Sequence, residues 1–345
     1  MADASTAGGA AQQDVAIEGI LPGEHWAQAP ADSSDVDSFF AESLRSSTAS
    51  IASSILEYRT VEGRTYHSER GNALYWGSND EESQDSMDIA HHNFTLALDG
   101  KLYSSPLKDK DVKKVLDVGT GTGSDFGDRH PAASVVGTDI SPTQSVWVPP
   151  NVHFEIEDCT QDWTFPLDSF DFIHMRFLVG SIDSWDLLLK RAFAACAPGG
   201  FVESIEPSPH IESDDGSVKP TTAMGQWGKL FVTGGRRFGR SFEIYQLGTV
   251  RKAMEKAGFV DIVERDIKMP IGPWEKDPKR KELGEFTRLG MFKDPEGYML
   301  FLASALGWKK EEIGVYLAHL RKELTDKSIH GYFRQKILYG RKPEA

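Results

Sequence analysis

Residues that would place the chain in a membrane or in a disulfide-stabilised scaffold are scarce. The 345 residues include two cysteines, Cys159 and Cys196, which fits a reducing compartment better than a disulfide framework. No segment approaches the roughly 18 consecutive apolar residues of a membrane span. The first lysine or arginine is Arg45, so the sequence lacks the basic n-region of a secretory signal. We therefore expect a protein of the cytoplasm, or of cytoplasm and nucleus, that does not enter membranes.

Positive charge is also in deficit. The net charge is −14, and a surface of this sign repels phosphate backbones, so nucleic acid is not an expected partner. The motifs HExxH, GxSxG and CxxC are absent. His91 and His92 are adjacent, and adjacent helical residues point about 100° apart, so they cannot chelate as a pair. The sequence predicts no metal site.

Three regions of the chain differ in pattern. Residues 1–35 are rich in Ala, Gly and Ser with few large apolar side chains, which predicts a disordered tail. Residues 36–105 contain two stretches, 36–58 and 82–98, in which apolar side chains recur at helical spacing, and these predict an N-terminal helical cap. The remainder, 106–345, is predicted to form one Rossmann-like domain.

Strand and helix patterns alternate through this domain, which predicts a parallel α/β sheet covered by helices. A polar loop is predicted at 208–222, and a helical insertion at about 270–325 separates the last two strands. The expected fold is a Rossmann-like sheet of seven strands. The predicted strands are 112–119, 134–140, 152–158, 170–175, 201–205, 259–268 and 332–341, and the predicted helices are 184–197, 244–257, 279–291, 295–306 and 309–324.

A glycine turn, GTGTG at 119–123, follows the first predicted strand of the sheet. Parallel sheets bind ligands at the carboxyl ends of their strands, and glycine lets the backbone turn sharply and approach a ligand closely. Asp139, after the second strand, lies 20 residues beyond Gly119, the spacing at which a carboxylate accepts hydrogen bonds from ribose hydroxyls. A purely structural turn is the alternative, but the strand and the acid favour a nucleoside cofactor.

The glycine spacing favours S-adenosylmethionine over a dinucleotide. The dinucleotide motif G-x-G-x-x-G needs glycine where this chain has Ser124, whereas the third glycine is Gly123. S-adenosylmethionine has no phosphate to be held at a helix N-terminus. Its sulfonium is positive and suits the acids that end three successive strands, Asp117, Asp139 and Asp158.

These motifs resemble fungal class I methyltransferases related to the LaeA-type regulators of secondary metabolism. The resemblance extends from about residue 51 nearly to the C-terminus, and it implies a seven-stranded class I methyltransferase sheet. The segments that carry it include VLDVGTGTG (115–123), GTDISP (137–142), WVPPNVHFEIEDC (147–159), WTFPLDSFDFIHMRFLVGSI (163–182), APGGFVE (197–203), PIGPWEKDPKRKELG (270–284) and IHGYFRQKILYGRKP (329–343).

The resemblance also implies where S-adenosylmethionine lies. The turn glycines pack against its methionine moiety, Asp139 holds the ribose, and Asp158 with Cys159 borders the adenine. Tyr58 and Tyr66 close over the cofactor. The residues expected to bind it are Asp117, Gly119, Gly121, Gly123, Asp139, Ile140, Asp158, Cys159 and Tyr66.

The segment after the turn departs from this family. Its relatives continue from the last glycine with a short apolar run that begins the first helix, whereas this chain has about three residues fewer. Only residues 122–130 are available before Pro131, and Phe126 is their only large apolar side chain, close to the shortest workable crossover. Either the helix forms one turn shorter with the turn intact but poorly anchored, or the turn is distorted and the cofactor is lost.

Residues for catalysis are less clearly marked. His174 and Arg176 lie on one face of the fourth strand near its carboxyl end, and they are either catalytic or a buried structural pair. For a hydroxyl acceptor, His174 or His210 is the candidate general base. Glu203 and Glu206 either contact the substrate or close the crevice.

The resemblance implies a methyltransferase acting on a small molecule in fungal secondary metabolism. The insertion and the N-terminal helices would shape the acceptor pocket. One alternative is a LaeA-like regulatory protein with weak or no catalysis and a regulatory protein partner. Another is a catalyst of a non-methylating rearrangement that binds the same cofactor. The fold alone does not separate these hypotheses.

Overall fold

The computed structural model describes residues 19–28, 58–68, 75–108, 112–123, 125–144 and 147–344. Most of the predicted tail (1–35) and nearly all of the helical stretch predicted at 36–58 lie outside them. One part of the tail prediction is wrong, because Gly23–Ala27 form a short helix, α1. Trp26 is 3% exposed and packs edge-on against Tyr316, with ring centroids 4.9 Å apart. Burial of one large aromatic side chain outweighs the polar composition around it.

The N-terminal cap consists of a two-stranded hairpin and a long helix. β1 (Arg59–Val61) pairs antiparallel with β2 (Arg64–Tyr66), and α2 spans Glu81–Ala97, which confirms the helix predicted at 82–98. The helix begins after Asp80, whose carboxylate accepts a backbone hydrogen bond in the first turn, as a good N-cap residue does.

Seven further strands in the described residues form one mixed sheet. They are β3 (Lys114–Val118), β4 (Ser134–Asp139), β5 (Val152–Ile156), β6 (Phe170–Arg176), β7 (Cys196–Glu212), β8 (Val260–Pro270) and β9 (Tyr332–Arg341). Their order across the sheet is β5-β4-β3-β6-β7-β9-β8. The first five are parallel, and β9 is antiparallel to both neighbours. The predicted Rossmann-like sheet is confirmed. From β3 the chain adds β4 and β5 on one side and then β6 and β7 on the other, and Rossmann-like sheets bind ligands at such a switch point.

The fifth strand of this sheet, β7, is much longer than the strand predicted at 201–205. It continues to Glu212, so the predicted loop at 208–222 begins later. Pro207 and Pro209 lie in this extension, although proline has no N–H to give to a sheet. In the structure, the pairing of β7 with β9 shifts register between Pro207 and Ile211, and this irregularity accommodates the prolines.

Eight further helices lie in the described part of the chain. The helix at Ala223–Arg237 was not predicted, and the helix predicted at 244–257 is divided at Gly248, whose φ is +61°. The helices are α3 (Phe126–Arg129), α4 (Trp185–Ala195), α5 (Ala223–Arg237), α6 (Ile244–Leu247), α7 (Thr249–Ala257), α8 (Pro278–Lys293), α9 (Pro295–Ala305) and α10 (Lys310–Thr325). The last three form the insertion between β8 and β9. None of the helices in the described residues has the length and apolarity that a membrane crossing requires.

The cap and the insertion pack directly on each other. On α2, Asn93 Nδ2 donates a hydrogen bond to Thr287 Oγ1 of α8 at 2.9 Å. At the hairpin, Arg64 pairs with Asp80 at 2.6 Å and with Asp294, at the start of α9, at 2.7 Å. Asp294 is 2% exposed. These buried contacts fix the position of α2 over the carboxyl ends of the sheet strands.

Candidate functional site

The carboxyl ends of β3, β4, β5 and β6 open into a cavity of about 170 Å³ beneath α2. We call it the glycine-turn cavity. It combines turn glycines, acids from two neighbouring strand ends and side chains of the cap. Its lining includes Tyr75, Trp76, Asn79, Met87, Ala90, His91, Phe94, Gly119 to Gly123, Thr138 to Ser141, Glu157 to Thr160, Arg176 to Leu178 and Tyr298.

The turn requires glycine for two separate reasons. Gly119 and Gly121 have φ values of +70° and +61°, which side-chain-bearing residues rarely adopt. A Cβ at position 119 would also lie 2.6 Å from Leu178 Cδ2. The backbone N–H groups of Gly119 and Thr120 both donate to Thr138 O, at 2.8 and 3.0 Å. The turn is therefore held tightly against the end of β4.

Asp139 links the turn to the loop after β4. Its Oδ2 accepts a hydrogen bond from the N–H of Gly121 at 2.9 Å, and its Oδ1 accepts one from the N–H of Ser141 at 3.0 Å. Burial raises the pKa of Asp139 to about 6, against the effect of these backbone donors. Since each carboxylate oxygen can accept more than one hydrogen bond, Asp139 retains acceptor capacity towards the cavity that it lines.

Most of the residues expected to bind the cofactor lie together in this cavity. The turn glycines, Asp139, Ile140, Asp158 and Cys159 all line it. Burial raises the pKa of the Cys159 thiol to about 12, so Cys159 contributes an uncharged wall.

Two of the expected residues, Asp117 and Tyr66, do not line the cavity. Asp117 Oδ1 lies 2.9 Å from His174 Nδ1, on the neighbouring strand β6. Tyr66 is fully buried against Phe301 of the insertion, with ring centroids 5.6 Å apart. Its placement is set by packing between the cap hairpin and α9, which its sequence neighbours do not reveal.

The crossover that follows the turn is short but well held. α3 has only four residues, and Phe126 is 6% exposed. Helix α2 supplies the anchoring: Thr122 Oγ1 donates to Asp88 Oδ1 at 2.7 Å, and His91 Nε2 lies 2.8 Å from Asp125 Oδ2. The structure therefore corresponds to the first alternative, a shortened helix with an intact turn. It differs in that α2, rather than α3, anchors the turn.

His91 connects this loop to the end of β6. Its Nδ1 lies 2.8 Å from Arg176 Nη2, and since a guanidinium can only donate, Nδ1 is the acceptor. Nε2 then carries the ring proton and donates it to Asp125. Both ring nitrogens are engaged, so His91 has no free nitrogen with which to take a proton from a substrate. Burial lowers the pKa of Arg176, whose guanidinium lies over the Phe94 ring.

A second cavity, of about 130 Å³, adjoins the first. We call it the aromatic cavity. It is enclosed by α2, the extended part of β7, α5, α8 and α9, and it shares Trp76, Ala90, Phe177 and Tyr298 with the glycine-turn cavity. No carboxylate, imidazole or amine is among the described residues that line it. Its other lining residues include Asn93, Val179, Pro207, Ser208, Pro209, Ile211, Trp227, Phe231, Phe242, Phe286, Thr287, Met291 and Phe333.

The chain at the junction of the two cavities is strained and firmly supported. Phe177 has a left-handed backbone, with φ +59°, a conformation that costs of order 1 kcal/mol in a non-glycine residue. Glu206 stabilises the next turn by accepting hydrogen bonds from the N–H groups of Leu178, at 3.2 Å, and Val179, at 2.9 Å. Burial raises the pKa of Glu206 to about 8. Glu206 thus closes the crevice from beneath and lines neither cavity.

The predicted catalytic residues are dispersed. Arg176 lines the glycine-turn cavity, whereas His174 and His210 line neither of the two cavities. His174 faces Asp117. His210 packs against α5, where a Cβ at Gly228 would lie 2.4 Å from its ring, and burial lowers its pKa. Within the described residues, no group of three His, Cys, Asp or Glu side chains is arranged to hold a metal ion.

Two asparagines in the cavity walls were not anticipated. Asn79 lines the glycine-turn cavity and Asn93 lines the aromatic cavity. The Oδ1 atom of each is buried without a hydrogen-bond partner. Nothing in the sequence marks them, because their importance depends on how the cap packs over the sheet and the insertion.

This chain is similar to a methyltransferase family and to several fungal proteins. The family model described as a methyltransferase domain matches residues 89–264. Methyltransferase pytC of Aspergillus terreus is 35% identical over 303 residues, 86% of this chain and 92% of pytC. The probable methyltransferase tdiE of Emericella nidulans is 30% identical over 302 residues, 86% of this chain and 92% of tdiE. The secondary metabolism regulator laeA of Aspergillus fumigatus is 32% identical over 290 residues, 82% of this chain and 76% of laeA.

Proposed function

This chain belongs to a family of methyltransferases, and we propose that it binds S-adenosylmethionine in the glycine-turn cavity and methylates an apolar small molecule held in the aromatic cavity. The observation that carries this proposal is the wall that the two cavities share. A methyl donor and its acceptor must meet, and here a polar and an apolar compartment adjoin. The similarity to fungal methyltransferases and to laeA supports a role in fungal secondary metabolism.

The residues of the glycine-turn cavity suit this cofactor. Gly119 and Gly121 leave the backbone free for close approach, and Asp139 can accept hydrogen bonds from ribose hydroxyls. Glu157 and Asp158 add negative charge to the lining, which favours a positively charged ligand. The unpartnered Oδ1 of Asn79 offers one more acceptor to a hydrogen-bond donor such as an ammonium or amino group.

The aromatic cavity suits an uncharged, largely apolar acceptor. Its walls are mostly aromatic and aliphatic, so burying a flat hydrocarbon framework there is favourable. A charged substituent would be desolvated without a counter-ion, which is costly.

S-adenosylmethionine, when bound, supplies a methyl group on a positively charged sulfur. The chain's own contribution is to bind, orient and exclude water. Glu206 fixes the loop between the cavities, and Trp76 Nε1 donates to Val179 O at 2.8 Å, which closes that loop against the cap. No general base from the described residues reaches the aromatic cavity, so positioning provides most of the rate enhancement.

A regulator with weak or no catalysis is not favoured. The shortened crossover had added support to that hypothesis, because it could have distorted the turn. The turn instead retains its hydrogen bonds to Thr138 and Asp139.

Calorimetric titration with S-adenosylhomocysteine tests the cofactor site. We expect micromolar binding to the wild type and a loss of at least about 100-fold in Asp139→Ala, since hydrogen bonds to a charged group contribute about 1.5–3 kcal/mol each. Asp186→Ala is the matched control, because Asp186 is an exposed acid on α4 paired with Lys256. Absence of binding to the wild type, or equal losses in both variants, would contradict the proposal.

A further inference from the structure

The aromatic cavity has one polar wall group with unused hydrogen-bonding capacity. Asn93 of α2 is 6% exposed and lines this cavity. Its Nδ2 donates to Thr287 Oγ1 at 2.9 Å, while its Oδ1 has no partner. A buried carbonyl oxygen without a donor is unfavourable, so the site is incomplete until a ligand supplies one.

The orientation of the Asn93 amide is determined by its neighbour. Thr287 Oγ1 donates its proton to Leu283 O at 2.9 Å, which leaves only lone pairs for Asn93. A flipped amide would place two acceptor oxygens against each other. The NH₂ group must therefore face Thr287, and the oxygen is the atom left for a ligand.

The other polar side chains around the cavity each have a hydrogen-bond partner. Ser208 Oγ accepts a hydrogen bond from Gln246 Nε2 at 2.8 Å. Tyr298 OH lies 3.1 Å from Ser86 Oγ. The Trp76 indole donates to the backbone. Asn93 thus provides the only side-chain acceptor oxygen among the described lining residues that is buried and unpartnered.

We propose that Asn93 determines acceptor specificity by accepting a hydrogen bond from an O–H or N–H group of a flat, uncharged, mostly aromatic acceptor. This inference rests on the proposed function, since it assigns the aromatic cavity to the acceptor. Phenols, enols, lactams and indoles have the required donor. Ethers and ketones presenting only oxygen lone pairs at this position are rejected, because their oxygen would meet Asn93 Oδ1.

The test compares 2-naphthol with 2-methoxynaphthalene, which keeps the rings and the oxygen but lacks the O–H. Affinities are measured by ligand-observed NMR titration, with and without S-adenosylhomocysteine. The wild type is expected to prefer 2-naphthol by about tenfold, the worth of one buried hydrogen bond. Asn93→Leu and Asn93→Ala are expected to abolish the preference. Asn79→Leu is the matched control, because this second unpartnered asparagine lines the other cavity, and its preference is expected to stay near tenfold.

Titration with S-adenosylhomocysteine separates this inference from the proposed function. Asn93→Leu is expected to bind S-adenosylhomocysteine within about twofold of the wild type, which also reports that the variant is folded, whereas Asn79→Leu binds it more weakly. Equal wild-type affinities for the two naphthalenes, no binding of either, or a preference that survives Asn93→Leu would overturn the inference. Failure of the wild type to bind S-adenosylhomocysteine would instead refute the cofactor site, while the naphthalene comparison can still be made.

Discussion

The two cavities of this protein are built in different ways from the same chain. The lower part of the glycine-turn cavity comes from one continuous region, about 119–182, in which each loop follows a strand of the parallel sheet. The aromatic cavity is assembled from α2, β7, α5, α8 and α9, which are widely separated in sequence. A cofactor site can thus be encoded by local backbone geometry, whereas the acceptor site depends on how distant elements pack.

Their electrostatic character differs as well. Asp139, Glu157 and Asp158 line the first cavity, and no charged side chain is found among the described residues that line the second. The difference fits a cationic donor and a neutral acceptor. α2 serves both cavities, since His91 faces the turn and Asn93 faces the aromatic walls. The cap is therefore the element through which a single substitution can affect both.

The largest expected effect comes from Arg64→Ala, which should weaken both cavities together. Arg64 joins Asp80 at the start of α2 to Asp294 at the start of α9. Its removal leaves Asp294, 2% exposed, without its charge partner. Breaking a buried pair in this way costs about 3–5 kcal/mol, and urea unfolding measures it. Arg251→Ala, which breaks the exposed pair with Glu255, should change stability by less than about 0.5 kcal/mol. Similar values for the two variants would show that the cap is not held by Arg64.

Acidification should weaken ligand binding in the glycine-turn cavity and leave binding in the aromatic cavity unchanged. The pKa of Asp139 is raised to about 6 by burial, so its carboxylate is protonated as the pH falls below 6 and loses acceptor capacity. S-adenosylhomocysteine does not titrate between pH 5 and 7, and its affinity should fall about tenfold over that range, as one titrating acceptor requires. Asp139→Asn should bind weakly at every pH. The affinity of the aromatic cavity for 2-naphthol should stay constant. An equal loss of 2-naphthol affinity would contradict the proposal that the two ligands bind in separate cavities.

The sheet and the turn could be predicted because their signals are local. β3, β4, β5 and β6 lie within the predicted segments apart from Arg176 at the end of β6, and most residues expected to bind the cofactor follow those strands. α5 was missed because Gly225, Gly228, Gly234 and Gly235 interrupt its helical pattern. These glycines permit close packing, since a Cβ at Gly234 would lie 2.9 Å from Leu302. Such a reason becomes visible only with the neighbouring helix in place.

The acceptor site could not be predicted for the same reason. Asn93 has a role only because α2 packs on α8 and brings Thr287 to within 2.9 Å of it. His174 was chosen as a candidate base from its residue type and its position near the end of a strand, and His210, in the predicted polar loop, from its residue type alone. The first is directed to Asp117, and the second packs against α5. Strand position indicates which end of the sheet a residue reaches, but it does not show which cavity the side chain lines.

A smaller effect is expected from substituting the adjacent histidines of α2. His91 lines the glycine-turn cavity, whereas His92 lies behind a wall of the aromatic cavity. His91→Ala leaves Asp125 and the buried Arg176 without their shared partner, so the shortened crossover should loosen and S-adenosylhomocysteine should bind about tenfold more weakly, the cost of an unsatisfied buried donor. His92 packs on Phe286 with ring centroids 4.5 Å apart, behind the aromatic cavity. His92→Ala should change the affinity for S-adenosylhomocysteine by less than about twofold, and equal losses would argue against α2 as the anchor of the turn.

The smallest and most specific effect should come from Thr287→Val. Valine removes the lone pairs that orient Asn93 while keeping the volume of this side chain, which is 3% exposed. The amide can then present either its oxygen or its NH₂ group to the aromatic cavity. The preference for 2-naphthol should fall from about tenfold to about threefold, mainly because 2-methoxynaphthalene gains a donor. Affinity for S-adenosylhomocysteine should not change. If the preference stays at tenfold, something other than Thr287 fixes the orientation of the Asn93 amide, and the hydrogen bond between these two side chains does not determine ligand selection.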